Sequence, residues 1–129
     1  MIKVTINELL NSTEVLQKLS KKDFKAKLAW QVARLLRNAE EEIKNFNETR
    51  MTLITKYGEK DENGELKTDD NGNCKIIPES ISTFSAELED LLKTEVEINA
   101  NKIDIEQLEN LDFTPSDMAA LEPYIEMGE

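Results

Sequence analysis

The sequence predicts an α+β fold, mainly helical: one long helix packed by shorter helices, with a polar β-hairpin arm and a small terminal sheet. Three observations carry this. Residues 23–57 hold neither Gly nor Pro while apolar residues recur at three- and four-residue steps. Two Asn-Gly dipeptides lie eight residues apart in a polar stretch just after it. Short alternating apolar runs stand near both ends of the chain. A length of 129 residues fits a single domain over 1–129.

The elements follow in order. Ile2, Val4 and Ile6 alternate with Lys3 and Thr5, the period of a half-buried strand. Asn7 is the expected cap of a helix over about 8–20, with Leu9, Leu10, Val15, Leu16 and Leu19 as its stripe and a break at Asn11-Ser12. Ser20 and Asp23 stand three apart like a capping pair, which starts the long helix at about 23. Its stripe of Leu28, Val32, Leu35, Ala39, Ile43, Phe46, Leu53, Ile54 and Tyr57 runs to Gly58, a helix stop. At 1.5 Å per residue, 23–57 spans roughly 50 Å.

Asn63-Gly64 and Asn71-Gly72 each favour positive φ at both central positions of a tight turn, giving a projecting β-hairpin arm or small meander over about 58–77 with strand pieces at 66–68 and 74–77. Pro78 opens a helix over about 78–94 with Ile81, Phe84, Leu88, Leu91 and Leu92 on one face. Val96 and Ile98, then Ile103 and Ile105, alternate around residues 99–102 and predict a further hairpin that joins 2–6 in one sheet. Thr114-Pro115-Ser116-Asp117 supplies the cap, proline and acid of a helix start over about 115–121, with Tyr124, Ile125 and Met127 docking behind it. No internal repeat is expected.

The shorter helices, about 25 and 20 Å long, only just cover the long one. Part of its seam, around Leu35, Leu36 and Ile43, is therefore expected to meet a second copy, making the protein a homo-oligomer. Trp30 and Leu36 fall off the main stripe. Trp30 is either an exposed interface anchor or covered by the terminal sheet.

Charge is distributed unevenly. The chain has 16 Lys+Arg against 27 Asp+Glu, a net of −11. Residues 1–57 carry 11 Lys/Arg and 7 Asp/Glu, whereas 58–129 carry 5 and 20. Either the halves attract one another, closing the core or joining two copies head to tail, or the acidic half engages a basic partner in the manner of nucleic acid. The net charge disfavours binding of duplex nucleic acid, whose phosphates need local cations. No apolar run reaches membrane-span length and the start lacks a signal-peptide core, so a cytoplasmic location is expected. The single Cys74 fits a reducing compartment.

Catalytic equipment is sparse. With no His, histidine-based triads and His-containing zinc sites are excluded. The Asp61–Glu65 and Asp69–Asn73 stretches resemble calcium loops but miss the ligand spacing, with Lys67 at a seventh place, so they read as turns. Glu40-Glu41-Glu42 and Glu87-Glu89-Asp90 sit on helices, where adjacent residues point apart, and read as solvated faces. Cys74 has no base nearby to activate it. No enzyme activity, metal or cofactor is expected. The one basic stretch, Lys18 to Arg37, interleaves Phe24 and Trp30 with cations. Its Lys21, Lys25, Lys27, Trp30, Arg34 and Arg37 are the candidate residues for an interface or an anionic ligand such as a small nucleotide. Copies of this stretch meeting at a symmetric interface would make a pocket for such a ligand.

The run from Leu53 through Lys56-Tyr57-Gly58-Glu59-Lys60-Asp61-Glu62-Asn63-Gly64, followed by Phe84 to Leu92 and Glu95-Val96-Glu97-Ile98, resembles small uncharacterised proteins of phages and prophages of low-GC Gram-positive bacteria. A preference for Lys over Arg, 13 against 3, and 11 Asn agree with AT-rich coding. The resemblance implies action inside an infected host cell and transfers no functional residue. It suggests a non-enzymatic accessory or counter-defence protein that binds or sequesters a host protein or small anionic ligand. The alternative is a virion morphogenesis factor or assembly chaperone that holds another phage protein.

Overall fold

Thr5 ends the first strand because its side chain is taken up as a cap. In the computed structural model, which describes residues 1–127, the Thr5 hydroxyl accepts Glu8 N at 3.1 Å and the Glu8 carboxylate accepts Thr5 N at 2.9 Å. This reciprocal box satisfies two otherwise unpaired donors. Strand β1 is therefore Ile2–Thr5 and helix α1 is Ile6–Asn11. The cap expected at Asn7 lies inside the helix, two residues late. The break expected at Asn11-Ser12 is present, and α2 is Thr13–Ser20.

Ser12 is fully buried at that break. Its Oγ donates to Leu9 O at 2.8 Å and lies 2.7 Å from Tyr124 Oη. A hydroxyl has one proton, so Tyr124 must donate in the second bond. Burial pushes the Tyr124 phenol above its ordinary pKa, which keeps that proton in place.

Helix α3 is Ala26–Tyr57, not the helix from 23 that a Ser20/Asp23 cap implies. Ser20 Oγ instead donates back to Gln17 O at 2.6 Å within α2. Residues 21–25 are left as a connection. Beyond α3, a single 3₁₀ turn at Pro78–Ser80 leads into α4, Ile81–Leu92. Strands β2, Glu95–Ile98, and β3, Ile103–Asp104, come next. Helix α5, Pro115–Leu121, starts with the expected Thr114/Asp117 box, and β4 is Ile125–Glu126.

β1 and β2 pair antiparallel, Ile2 opposite Ile98 and Val4 opposite Val96. The hairpin expected between 96–98 and 103–105 is absent: β3 pairs instead with β4, in parallel, Ile103 opposite Ile125. The intervening loop is diverted by long-range bonds. The Asn99 carbonyl accepts both Arg34 Nε at 3.0 Å and Asn38 Nδ2 at 2.8 Å from α3, so the chain is drawn to the helix before it can return along β2. The result, among the described residues, is two small sheets where one was expected.

Within the 1–129 span expected as one domain, the chain gathers into two compact units. The first comprises Met1–Ile43 and the chain from Thr94 onward; the second is Lys44–Lys93. Helix α3 contributes to both. The first unit encloses a continuous core that includes Ile2, Leu9, Leu19, Leu35, Ile98, Ile103, Leu121 and Tyr124. Leu35, placed in the seam left for a second copy, is fully buried there, while Leu36 and Ile43 are half-buried. Trp30 is 58% exposed and Met127 does not dock, being 71% exposed.

The second unit holds a structure that the absence of an expected repeat concealed. The segments Gly58-Glu59-Lys60, Leu66-Lys67-Thr68 and Cys74-Lys75-Ile76 form three antiparallel bridges, 58 with 76, 60 with 66 and 68 with 74. Their central residues close a ring. Glu59 N donates to Lys75 O at 2.8 Å, Lys75 N to Lys67 O at 2.9 Å, and Lys67 N to Glu59 O at 2.9 Å. The two connecting turns are copies of one design. Asp61 Oδ1 accepts Asn63 N and Glu65 N, and Asp69 Oδ1 accepts Asn71 N and Asn73 N, all at 2.8–3.0 Å. Among the described residues only Gly64 and Gly72 take positive φ, at 80° and 83°. The tight turn with two left-handed positions is therefore replaced by a longer one in which the Asp carboxylate does the folding and one Gly suffices. Asp-x-Asn-Gly-x recurs at an eight-residue interval, and the arm is a small meander whose first and last strand pieces also pair, closing it into a three-cornered ring.

Candidate anionic-ligand cleft

Residues 21–25 bring the basic stretch to the start of α3. The Lys25 carbonyl accepts the first helical bond, from Ala29 N at 2.8 Å, so Lys25 occupies the cap position. Lysine has no side-chain acceptor with which to cap, and no acid stands in the first turn. The positive end of a 32-residue helix thus carries Lys25 and Lys27, where an acid would ordinarily complement it.

Beside that helix end is a cleft of about 380 Å³ lined by Asp23, Phe24, Lys25, Lys27, Leu28, Gln107, Asn110 and Leu111. Leu28 is buried and Phe24 and Leu111 are half-buried against the core, which fixes the floor. The two carboxamides come from the other side, from the turn at 105–111. Sequence reasoning missed Gln107 and Asn110. They are polar residues in an irregular acidic stretch, some eighty positions away, and no local spacing marks them.

The six candidate residues are not gathered into one site. Lys25 and Lys27 line the cleft. Trp30 and Arg34 line a smaller hollow of about 170 Å³ with Met1, Gln31 and residues 99–101. There the Arg34 guanidinium lies 5.5 Å from the Trp30 ring centre and its Nε holds the Asn99 carbonyl, so Arg34 braces a loop. Lys21 and Arg37 are exposed and line neither. Other cations of the stretch are taken up within the fold. Lys18 Nζ meets both Asp117 carboxylate oxygens at 3.0 and 3.2 Å, and Lys22 lies 5.4 Å over the Phe113 ring. Lys3 also pairs with Glu97 across the sheet at 4.0 Å. Folding the basic segment against the acidic one therefore accounts for part of the charge pattern.

The Asp61 and Asp69 carboxylates are occupied by backbone donors, as turn residues. Among the described residues no group of three or more His, Cys, Asp or Glu is arranged to hold a metal ion, and no helix is long and apolar enough to cross a membrane. The sequence matches no family model, and comparison with curated proteins and with solved structures gives no match either.

Proposed function

We propose that this protein is a phage or prophage accessory protein that acts by binding, without catalysis, and that its ligand is a small nucleotide-like anion held in the cleft at the start of α3. The observation that carries this reading is the composition of that cleft. Two lysines at an uncapped helix start offer charge to a phosphate. Phe24 offers an aromatic face, and Gln107 and Asn110 offer both donors and acceptors to a base edge. At about 380 Å³ the space falls within the range of small-molecule sites. Sequestering such a ligand is a counter-defence role that needs no reactive group.

The assembly-factor reading relies on the arm as a grip. The ring formed by Glu59, Lys67 and Lys75 uses the backbone groups that a strand-adding grip would need, which favours the accessory reading.

Calorimetric titration of the purified protein with nucleoside mono-, di- and triphosphates and with pyrophosphate tests the proposal. Saturable binding is expected, weakened at least about tenfold in a Lys25→Ala, Lys27→Ala variant and by added salt. No saturable heat with any of these ligands, or binding indifferent to the double substitution, would overturn it.

A further inference from the structure

We infer that the helical hairpin of the second unit, residues 44–57 of α3 with α4, is a self-association surface whose occupant is the same hairpin of a second copy. The surface is distinct from the ligand cleft, and the inference does not depend on that reading.

Burial is the first argument. α4 has an apolar stripe of Ile81, Phe84, Leu88, Leu91 and Leu92, yet none of its residues is buried. Ile81 is 50% exposed and Met51 on α3 is 44% exposed. Tyr57 does anchor the helices to each other, with its ring edge-on to Phe84 at 6.4 Å and its Oη donating to Glu87 at 3.0 Å. One neighbouring helix has covered each apolar stripe only in part. α4 buries none of its residues and Ile81 and Met51 stay exposed, and a segment of this size does not close a core alone.

Charge identifies the occupant. Residues 44–57 carry Lys44, Arg50 and Lys56 against the single acid Glu48, while α4 carries Glu87, Glu89 and Asp90 and no Lys or Arg. In a two-fold pairing the same patch lies on both sides, and with the axis running along the helices each acidic helix meets the partner's basic one, twice over. An unrelated partner would need this pattern independently; a second copy has it by construction. Closing two such hairpins face to face gives a four-helix bundle with its apolar stripes inside.

Sedimentation equilibrium on the full chain, from about 5 to 200 μM, is the test. A dimer is expected. Ile81→Lys, at a position already half in solvent, should raise its dissociation constant at least about tenfold with helical circular dichroism unchanged. Arg50→Glu and Glu89→Lys should each weaken the dimer and together restore it. That pair decides the matter if Ile81→Lys loses helical signal. A monomer throughout the range overturns the inference, as does a dimer unaffected by Ile81→Lys or weakened further by the double charge reversal. Because only mass is read, failure here leaves the nucleotide titration untouched.

Discussion

The two units are held together by different means. Among the described residues twenty apolar side chains are buried, and just two of them, Phe46 and Ile54, belong to the second unit. The first unit is stabilised mainly by apolar burial, with the Ser12–Tyr124 hydrogen bond satisfying the polar atoms at its centre. The second relies on backbone geometry: a ring of three hydrogen bonds, two Asp-led turns and a glycine placed where nothing larger fits. Core burial resists local opening because many contacts must break at once. A hydrogen-bonded knot near solvent resists it much less, since water replaces each lost bond.

The sharpest way to break this comparison is to remove a side chain from each unit. Leu35 is fully buried, so Leu35→Ala is expected to cost about 2–5 kcal/mol. Leu88 is half-buried, and Leu88→Ala at dilutions that keep the chain monomeric should cost about 1 kcal/mol. Urea unfolding followed by circular dichroism measures both, and equal losses would abolish the contrast. Next in size is Gly58→Ala. A Cβ there would sit 2.5 Å from Ile54 O and 2.6 Å from the Leu66 side chain, so about 1–3 kcal/mol of strain is expected. The loss should appear as faster hydrogen exchange at the Glu59, Lys67 and Lys75 amides, with the β1–β2 amides unchanged.

The smallest effect concerns pH. The hydrogen bond from Lys18 holds the Asp117 carboxyl below its ordinary 3.8, with the Thr114 cap adding to it. A carboxyl depressed in the folded state contributes stability that is fully present above its unfolded pKa and is lost as pH falls through the folded value. Melting temperature should therefore decline below pH 3.8, and Asp117→Asn should flatten that decline slightly while leaving α4 unaffected. An unchanged slope in the variant would remove Asp117 from the acid response.

Much of the fold was legible because long or chemically marked elements declare themselves. The periodicity of Leu28, Val32, Leu35 and Ala39 specifies α3, and Thr114-Pro115-Ser116-Asp117 marks the start of α5. The N-terminal boundary of α3 was misplaced because Ser20 had a competing local acceptor, Gln17 O. β3 was given the wrong partner because two residues carry no register of their own; the deciding bonds run from Arg34 and Asn38, more than sixty positions away. The antiparallel arm and the places of its two turns were legible, but the length of those turns was not. Asn63-Gly64 pointed to a two-residue turn, whereas Asp61 two positions earlier supplied the acceptor that lengthens it. Of the cleft, the basic half was legible as Lys25 and Lys27. Gln107 and Asn110 were not, since only tertiary folding brings them there.

The three-cornered arm also bears on how such a chain could change over time. Ile77 N donates to Tyr57 O at 2.9 Å, so the excursion from Gly58 to Ile76 ends beside the point where it began. A segment with touching ends is a cassette: it can be exchanged, shortened to a plain loop or given new tip residues while the entry and exit points stay together. Because the recurring Asp-x-Asn-Gly-x unit fixes each tip through its own Asp and Gly, the remaining tip positions, Glu62, Glu65, Asp70 and Asn73, are free to vary without loss of the turn. The acidic character of those tips is therefore a property that selection can rewrite one residue at a time.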